Sequence, residues 1–227
     1  MSVQLVVFDM AGTTVRDKGS VADAFMEAAS QYGVQVPRGE VNKVMGFRKK
    51  EAIRILLDKF YLEPVEDLDG LIENIHETFT RNMVSFYEQD QDLAPLPYAE
   101  KIFAWLKERG IKIALNTGFT RPITNAILHR LQWDNKDVID MVISSDEVLE
   151  GRPHPYMIEA IMQQLQVADP AQVVKVGDTE VDVAEGRNAG CGLVVSVTTG
   201  AYTRKELEQY SPDNIIDSLA ELPPLIQ

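Results

Sequence analysis

Five short apolar runs recur along the chain: Leu5 to Phe8, Ile111 to Leu115, Met141 to Ile143, Val173 to Val176 and Leu193 to Val197. Amphipathic segments of helix length separate most of them. Short runs of this kind, rich in Val, Ile and Leu, belong to strands covered on both faces. Strands that alternate with helices build a parallel sheet flanked by helices, so the predicted fold is α/β, a doubly wound parallel sheet. Ligands of such sheets lie at the carboxyl ends of the strands. The residues just after each run therefore carry most of the functional information.

One interval breaks the alternation. From about residue 16 to residue 90 there is no strand run. Phe25, Ala28, Ala29 and Tyr32 share a helical face there, as do Ile53, Leu56, Leu57 and Phe60, and then Ile72, Ile75, Phe79 and Met83. Ser20 is placed to cap the first helix, and Pro37, Gly39 and Pro64 punctuate the rest. The expected organisation is a core domain of residues 1–15 and 91–227 with an all-helical insertion, residues 16–90, that closes at the loop around Ala94 to Pro97. A chain of 227 residues suits one domain carrying a sizeable insertion.

Chemistry-bearing residues stand at four strand ends. Asp9 follows the first run, and a carboxylate there can attack a phosphoryl group to form an aspartyl-phosphate. Gly12 lets backbone approach a ligand closely, and Thr13 and Thr14 add hydroxyls. Asn116, Thr117 and Gly118 follow the second run, offering a hydroxyl and free amides to phosphate oxygens. Arg152, in GRPHP, supplies a permanent cation able to hold two oxygens at once. After the fourth run, VVKVGDTEVDVAEG sets Asp178 and Asp182 one helical turn apart, and with Asp9 they form a carboxylate set suited to Mg²⁺. A metal shared by nucleophile and substrate would offset the repulsion between Asp9 and a phosphoryl dianion. Each feature alone has an ordinary reading as a cap, a loop cation or an acidic helix start. Their coincidence at four strand ends points to phosphoryl chemistry.

Composition narrows the partners. With 45% hydrophobic and 25% charged residues the chain reads as an ordinary soluble protein with no need of a membrane. A net charge of −13, without a cluster of Lys and Arg, argues against a nucleic-acid partner. No basic segment and cleavage site precede the first strand, so no signal peptide is expected. Cys191 stands alone, which excludes a disulfide within the chain. The expected compartment is the cytoplasm.

Taken in order, Asp9, Thr117, Arg152 and the pair Asp178 and Asp182 resemble the signature positions of the haloacid dehalogenase superfamily. That resemblance implies a Rossmann-like core with a small helical cap and Mg²⁺ as cofactor. Asp9 would be nucleophile and metal ligand, Ala11 would offer its carbonyl to the metal, and Asp178, supported by Asp182, would bind it. Gly12, Thr13, Thr117, Gly118 and Arg152 would meet the phosphoryl group. Most phosphatases of the superfamily carry a second Asp at the position of Ala11 and a Lys at that of Arg152. In both respects this chain is similar to the phosphonatase-like group, the hydrolases of phosphonoacetaldehyde. The segment Met45-Gly46-Phe47-Arg48-Lys49 also resembles the cap segment of that group, whose lysine forms an imine with its aldehyde. Met10 departs from the group's usual Trp, and Ala52 from a histidine that assists proton transfer. The resemblance further suggests a homodimer formed through the cap.

The two departures from the phosphatases are chemically coherent. An alkoxide leaving group needs an acid, the task of the absent second Asp. A carbon leaving group needs an electron sink instead, which a protonated imine on Lys49 would supply. Lys49 must be partly neutral for this, and Arg48 and Lys50 would assist by disfavouring another positive charge. The expected substrate is a small phosphonate such as phosphonoacetaldehyde. The rivals are a phosphomonoesterase acting on a small metabolite and a silent phosphate-binding protein, against which the retained acids argue.

Overall fold

The computed structural model describes residues 2–61 and 66–226, and the punctuation expected at Pro64 lies outside them. After β1, Leu5–Phe8, come four helices with no strand between them among the described residues: α1, Ser20–Ser30; α2, Arg38–Asn42; α3, Lys49–Phe60; and α4, Leu68–Gln89. Strand and helix then alternate through α5, Ala99–Lys107; β2, Lys112–Thr117; α6, Arg121–Leu131; β3, Met141–Ser144; α7, Tyr156–Gln164; β4, Val173–Gly177; α8, Glu180–Asn188; and β5, Leu193–Val197. Helix α9, Arg204–Leu207, and strand β6, Asn214–Ile216, complete the order. All five expected strands form. β6 was not expected, because a three-residue edge strand that begins with Asn leaves no apolar run to find.

The sheet is parallel throughout, in the order β3-β2-β1-β4-β5-β6. β1 is central and its four side chains are fully buried. Val6 and Phe8 join one apolar cluster with Ile113, Leu115 and Val176, whereas Leu5 and Val7 join another with Met157, Ile158 and Ile161. The two-residue period thus feeds opposite faces of the sheet, each buried side chain contributing about 1.5–3 kcal/mol. The chain runs outward from β1 through β2 to β3, then returns beside β1 as β4 and runs outward the other way. The crevice between the carboxyl ends of β1 and β4 is therefore the topological switch point where ligands of such sheets bind.

Helices α1 to α4 bury the expected stripes, including Phe25, Ala28 and Ala29, then Ile53, Leu56 and Leu57, and then Ile72, Ile75, Phe79 and Met83. Phe25 and Phe79 meet at 5.7 Å between ring centroids. The cap of α1 differs from expectation. Gly19, at φ 92°, is the N-cap, and Ser20 makes no capping hydrogen bond. The side chain of Asp17 does that work, its Oδ1 accepting from the backbone N–H of Gly19 and of Ser20, both at 2.9 Å.

Candidate active site

Asp9 leaves β1 with its backbone N–H donating to the Val176 carbonyl at 2.9 Å, so its position is tied to β4. A tight turn follows, in which the N–H groups of Thr13, Thr14 and Val15 all converge on the Met10 carbonyl. Gly12 has φ 90°, and a Cβ there would lie 2.8 Å from Asp178 Oδ2 and from Gly200 Cα. Both backbone conformation and space require glycine. Across the crevice, Asp178 Oδ1 accepts from the Thr13 hydroxyl at 3.1 Å and Oδ2 from the Ala201 N–H at 2.7 Å. Burial, reinforced by the charges of Asp9 and Asp182, pushes the Asp178 carboxyl well above the usual carboxylate range. Burial raises Asp9 as well, against the pull of Arg152.

A closed polar cage lies behind Asp9. Arg152 is fully buried, with Nη1 on Asp9 Oδ1 at 2.7 Å, Nε on Glu185 Oε2 at 3.0 Å, and Nη2 on Asn116 Oδ1 at 2.6 Å and on the Asn116 carbonyl at 2.7 Å. Lys175, fully buried in the middle of β4, donates to Asn116 Oδ1 at 2.7 Å and stands 3.2 Å from Glu185 Oε2. Asn116 in turn donates to both Glu185 oxygens, at 2.8 and 2.9 Å. Asp182 Oδ1 faces Arg152 at 3.0 Å and Lys175 at 2.9 Å, ionic contacts without hydrogen-bond angles. Its Oδ2 accepts from the Thr179 hydroxyl and N–H, closing the capping box of α8.

A cavity of about 190 Å³ opens above Asp9. It gathers most of the expected residues: Asp9, Ala11, Gly12, Thr117, Gly118 and Asp178 from the strand ends, with Met45 and Lys49 from the helical insertion. Three expectations are corrected. Arg152 does not line the cavity, since its donors are spent within the cage and it reaches the site only through Asp9. Thr13 is fully buried with its hydroxyl on Asp178, so it holds a carboxylate rather than facing a ligand. Asp182 is turned away toward Arg152, Lys175 and Thr179, which leaves it a support and removes it from the direct metal set.

Lys49 is the first residue of α3 and only 3% exposed. Its amine donates to the Phe47 carbonyl at a long 3.4 Å and sits 5.5 Å over the centroid of Phe119. Burial, helped by Arg152 and opposed by Asp9 and Asp17, brings its pKa down to about 8. Lys50 instead pairs with Glu73 at 2.5 Å, outside the cavity. The segment that delivers Lys49 rests on the strand ends with no room to spare. A Cβ on Gly118 would lie 2.4 Å from the Phe47 carbonyl oxygen, and one on Gly151 2.8 Å from Arg48 Cβ.

The donor set fits Mg²⁺. Asp9, Ala11 and Asp178 offer only hard oxygen ligands to the cavity. Four buried carboxylates, Asp9, Asp178, Asp182 and Glu185, outnumber the three buried cations, Arg152, Lys175 and Lys49. A divalent cation would balance that excess. Among the described residues no group of three or more His, Cys, Asp or Glu forms a ready-made cage. This suits an ion that keeps several waters and takes one or two carboxylates.

Lys175 and Glu185 were missed from the sequence. A lysine inside a strand covered on both faces is a signal in itself, because burial demands a partner. Lys175→Met would strand Asp182 and Glu185 beside a single cation. It is expected to destabilise the protein by about 3–5 kcal/mol, measured by denaturant unfolding.

A family model described as haloacid dehalogenase-like hydrolase matches residues 3–190. The phosphonoacetaldehyde hydrolase of Bacillus mycoides (strain KBAB4) is 31% identical, over 93% of this chain and 83% of its own length. Among solved structures, a phosphonoacetaldehyde hydrolase-like protein from Oleispira antarctica superposes with a TM-score of 0.83 at 24% identity, covering 100% of this chain and 92% of its own. A putative phosphoglycolate phosphatase from Lactobacillus delbrueckii subsp. bulgaricus gives 0.78 at 18% identity, covering 100% and 99%. At these identities the two structures establish a common fold.

Proposed function

Because the chain belongs to the haloacid dehalogenase-like hydrolases, in their phosphonatase-like branch, we propose that it hydrolyses a P–C bond in a small carbonyl phosphonate such as phosphonoacetaldehyde. The observation that carries this reading is Lys49. A buried amine with a pKa of about 8 faces the same small cavity as Asp9, whose neighbour Ala11 can donate no proton to an alkoxide. That is the equipment for a carbon leaving group.

In this mechanism the Lys49 nitrogen attacks the aldehyde carbon, and the carbonyl oxygen departs as water to leave a protonated imine. Asp9, oriented by Arg152, attacks phosphorus through a carboxylate oxygen. The P–C bonding pair moves into the imine, giving an enamine on Lys49 and a phosphoryl group on Asp9. Protonation of the enamine carbon and addition of water release acetaldehyde and the free amine. A second water cleaves the aspartyl-phosphate. Thr117 and Gly118 would bind phosphoryl oxygens, and Met45 would pack against the carbon skeleton. Mg²⁺ held by Asp9, Asp178 and the Ala11 carbonyl would supply charge neutralisation at the phosphoryl oxygens. Helices α1 to α4 would act as the cap that shuts water out.

Incubation with Mg²⁺ and phosphonoacetaldehyde, followed by borohydride reduction and peptide mapping, should find the adduct on Lys49. Turnover of the aldehyde with Lys49 unmodified would sink the imine. Hydrolysis of phosphate monoesters without aldehyde turnover would replace the proposal with a phosphomonoesterase.

A further inference from the structure

Resting on the imine reading, we infer that Asp17 is a further catalytic residue, the group that carries protons to and from the substrate bound to Lys49. The titratable side chains on the cavity wall are Asp9, Asp17, Arg38, Lys49 and Asp178. Asp9 and Asp178 serve the phosphoryl end. Arg38 is ion-paired with Asp23, and a guanidinium does not release protons in this range. Lys49 is the nucleophile toward carbon. Asp17 is the remaining group that can exchange a proton with the carbonyl half of the substrate.

Its geometry suits the task. The two N–H groups at the start of α1 both bind Asp17 Oδ1, at 2.9 Å, which fixes the carboxyl in place. Oδ2 receives no hydrogen bond from the described residues. Asp17 and Lys49 line the same cavity, whose wall includes Phe119. Tyr87 meets Phe119 at 6.1 Å, and Phe119 carries the Lys49 amine on its face. The charge of Asp17 is felt at Lys49 and at Tyr87, favouring the ammonium form of the one and, after burial, the neutral form of the other.

The chemistry needs such a group. Among the described residues the hydrogen-bond partner of the Lys49 amine, the Phe47 carbonyl, has no proton to give, and Ala52, three residues on along α3, has none either. Protonated Asp17 gives its proton to the carbinolamine oxygen as the C–O bond breaks, so that water leaves and the protonated imine forms. After the P–C pair has entered the imine, Asp17, reprotonated from solvent, delivers a proton to the enamine carbon. As a carboxylate it then accepts a proton from the water that adds to the imine. The proton that Asp17 spent in forming the imine is thereby returned to it on hydrolysis, and the solvent proton given to the enamine stays on the methyl carbon of acetaldehyde.

The test is Asp17→Asn, which keeps an oxygen for the α1 cap and loses the transferable proton. On phosphonoacetaldehyde, kcat should fall by about 10²–10⁴-fold, with KM within about threefold of wild type, as for a group that acts in the transition state. Borohydride trapping at Lys49 should slow in parallel, and Asp17→Glu should regain part of the rate. A kcat for Asp17→Asn within about threefold of wild type, with trapping unchanged, would overturn the role of Asp17 while leaving the imine standing. Wild-type protein that turns over without trapping overturns the reading on which both rest.

Discussion

Lys49→Arg should abolish cleavage of phosphonoacetaldehyde, lowering kcat by on the order of 10⁴-fold, because arginine keeps the charge but forms no imine. The phosphoryl half of the site is untouched by this change. Slow hydrolysis of an activated aryl phosphate, where the wild type shows any, should stay within about threefold. The two substrates together distinguish loss of an electron sink from general damage. The pH profile adds an independent mark. Imine formation needs the neutral amine, so kcat/KM for the aldehyde should rise with pH along a limb centred near the Lys49 pKa of about 8. At pH 7 about a tenth of such an amine is neutral, against roughly one part in three thousand for an ordinary lysine. The limb should be absent from the residual activity of Lys49→Arg. Stability moves in the same direction. Burial lowers this pKa, so the unfolded chain holds the proton more tightly between about pH 8 and the ordinary lysine value of 10.5, and stability attributable to Lys49 rises across that window.

Asp178→Asn should also lose turnover, by about 10³-fold or more if Asp178 holds the metal, while the metal-free protein becomes more stable. Asp178 is buried beside the charges of Asp9 and Asp182, and its raised pKa marks an ionised form that folding disfavours. The sign follows directly. A carboxyl raised on folding favours the folded state below its unfolded pKa and loses that contribution as pH climbs through the folded value. At neutral pH the charge is therefore a burden. Asparagine fits the same contacts, its oxygen toward the Ala201 N–H and its amide toward the Thr13 hydroxyl, which can turn to accept. A gain of about 1–2 kcal/mol, with a melting temperature higher by about 2–4 °C per kcal/mol, is expected in metal-free buffer. Millimolar Mg²⁺ should raise the melting temperature of the wild type and leave that of Asp178→Asn nearly unchanged. An equal Mg²⁺ response in both proteins would remove Asp178 from the metal site, whatever the activity shows.

The strands and their ends were readable because double-faced burial writes itself as uninterrupted apolar runs, and a doubly wound sheet delivers whatever follows those runs to one edge. Asp9, Thr117 and Asp178 needed nothing more than that. Which way each side chain points was a different matter. Residues four apart, such as Asp178 and Asp182, share a helical face only if both lie in the helix, and here Asp178 precedes the cap while Asp182 closes the capping box. Arg152 was placed at the correct site but on the wrong side of Asp9, because its partners Glu185 and Asn116 come from other segments of the chain. The choice between Lys49 and Lys50 was partly legible. Lys49 shares its stripe with Ala52, Ile53 and Leu56, all buried, whereas the residue four after Lys50 is the exposed Arg54. The work of Asp17 as the cap of α1 was hidden by the better-looking Ser20.

The cage behind Asp9 also bears on how this chain can change over evolutionary time. Arg152, Lys175, Asn116, Asp182 and Glu185 satisfy one another, so losing any one leaves a buried charge or donor without its partner, and the penalties of paired losses do not add. Relatives should therefore carry these five positions as a block, kept or exchanged together, with few sequences caught between. The cavity wall above is free of that constraint. Substrate preference can drift one residue at a time at Met45, Arg38 or Asn42 while the foundation that holds Asp9 stays as it is.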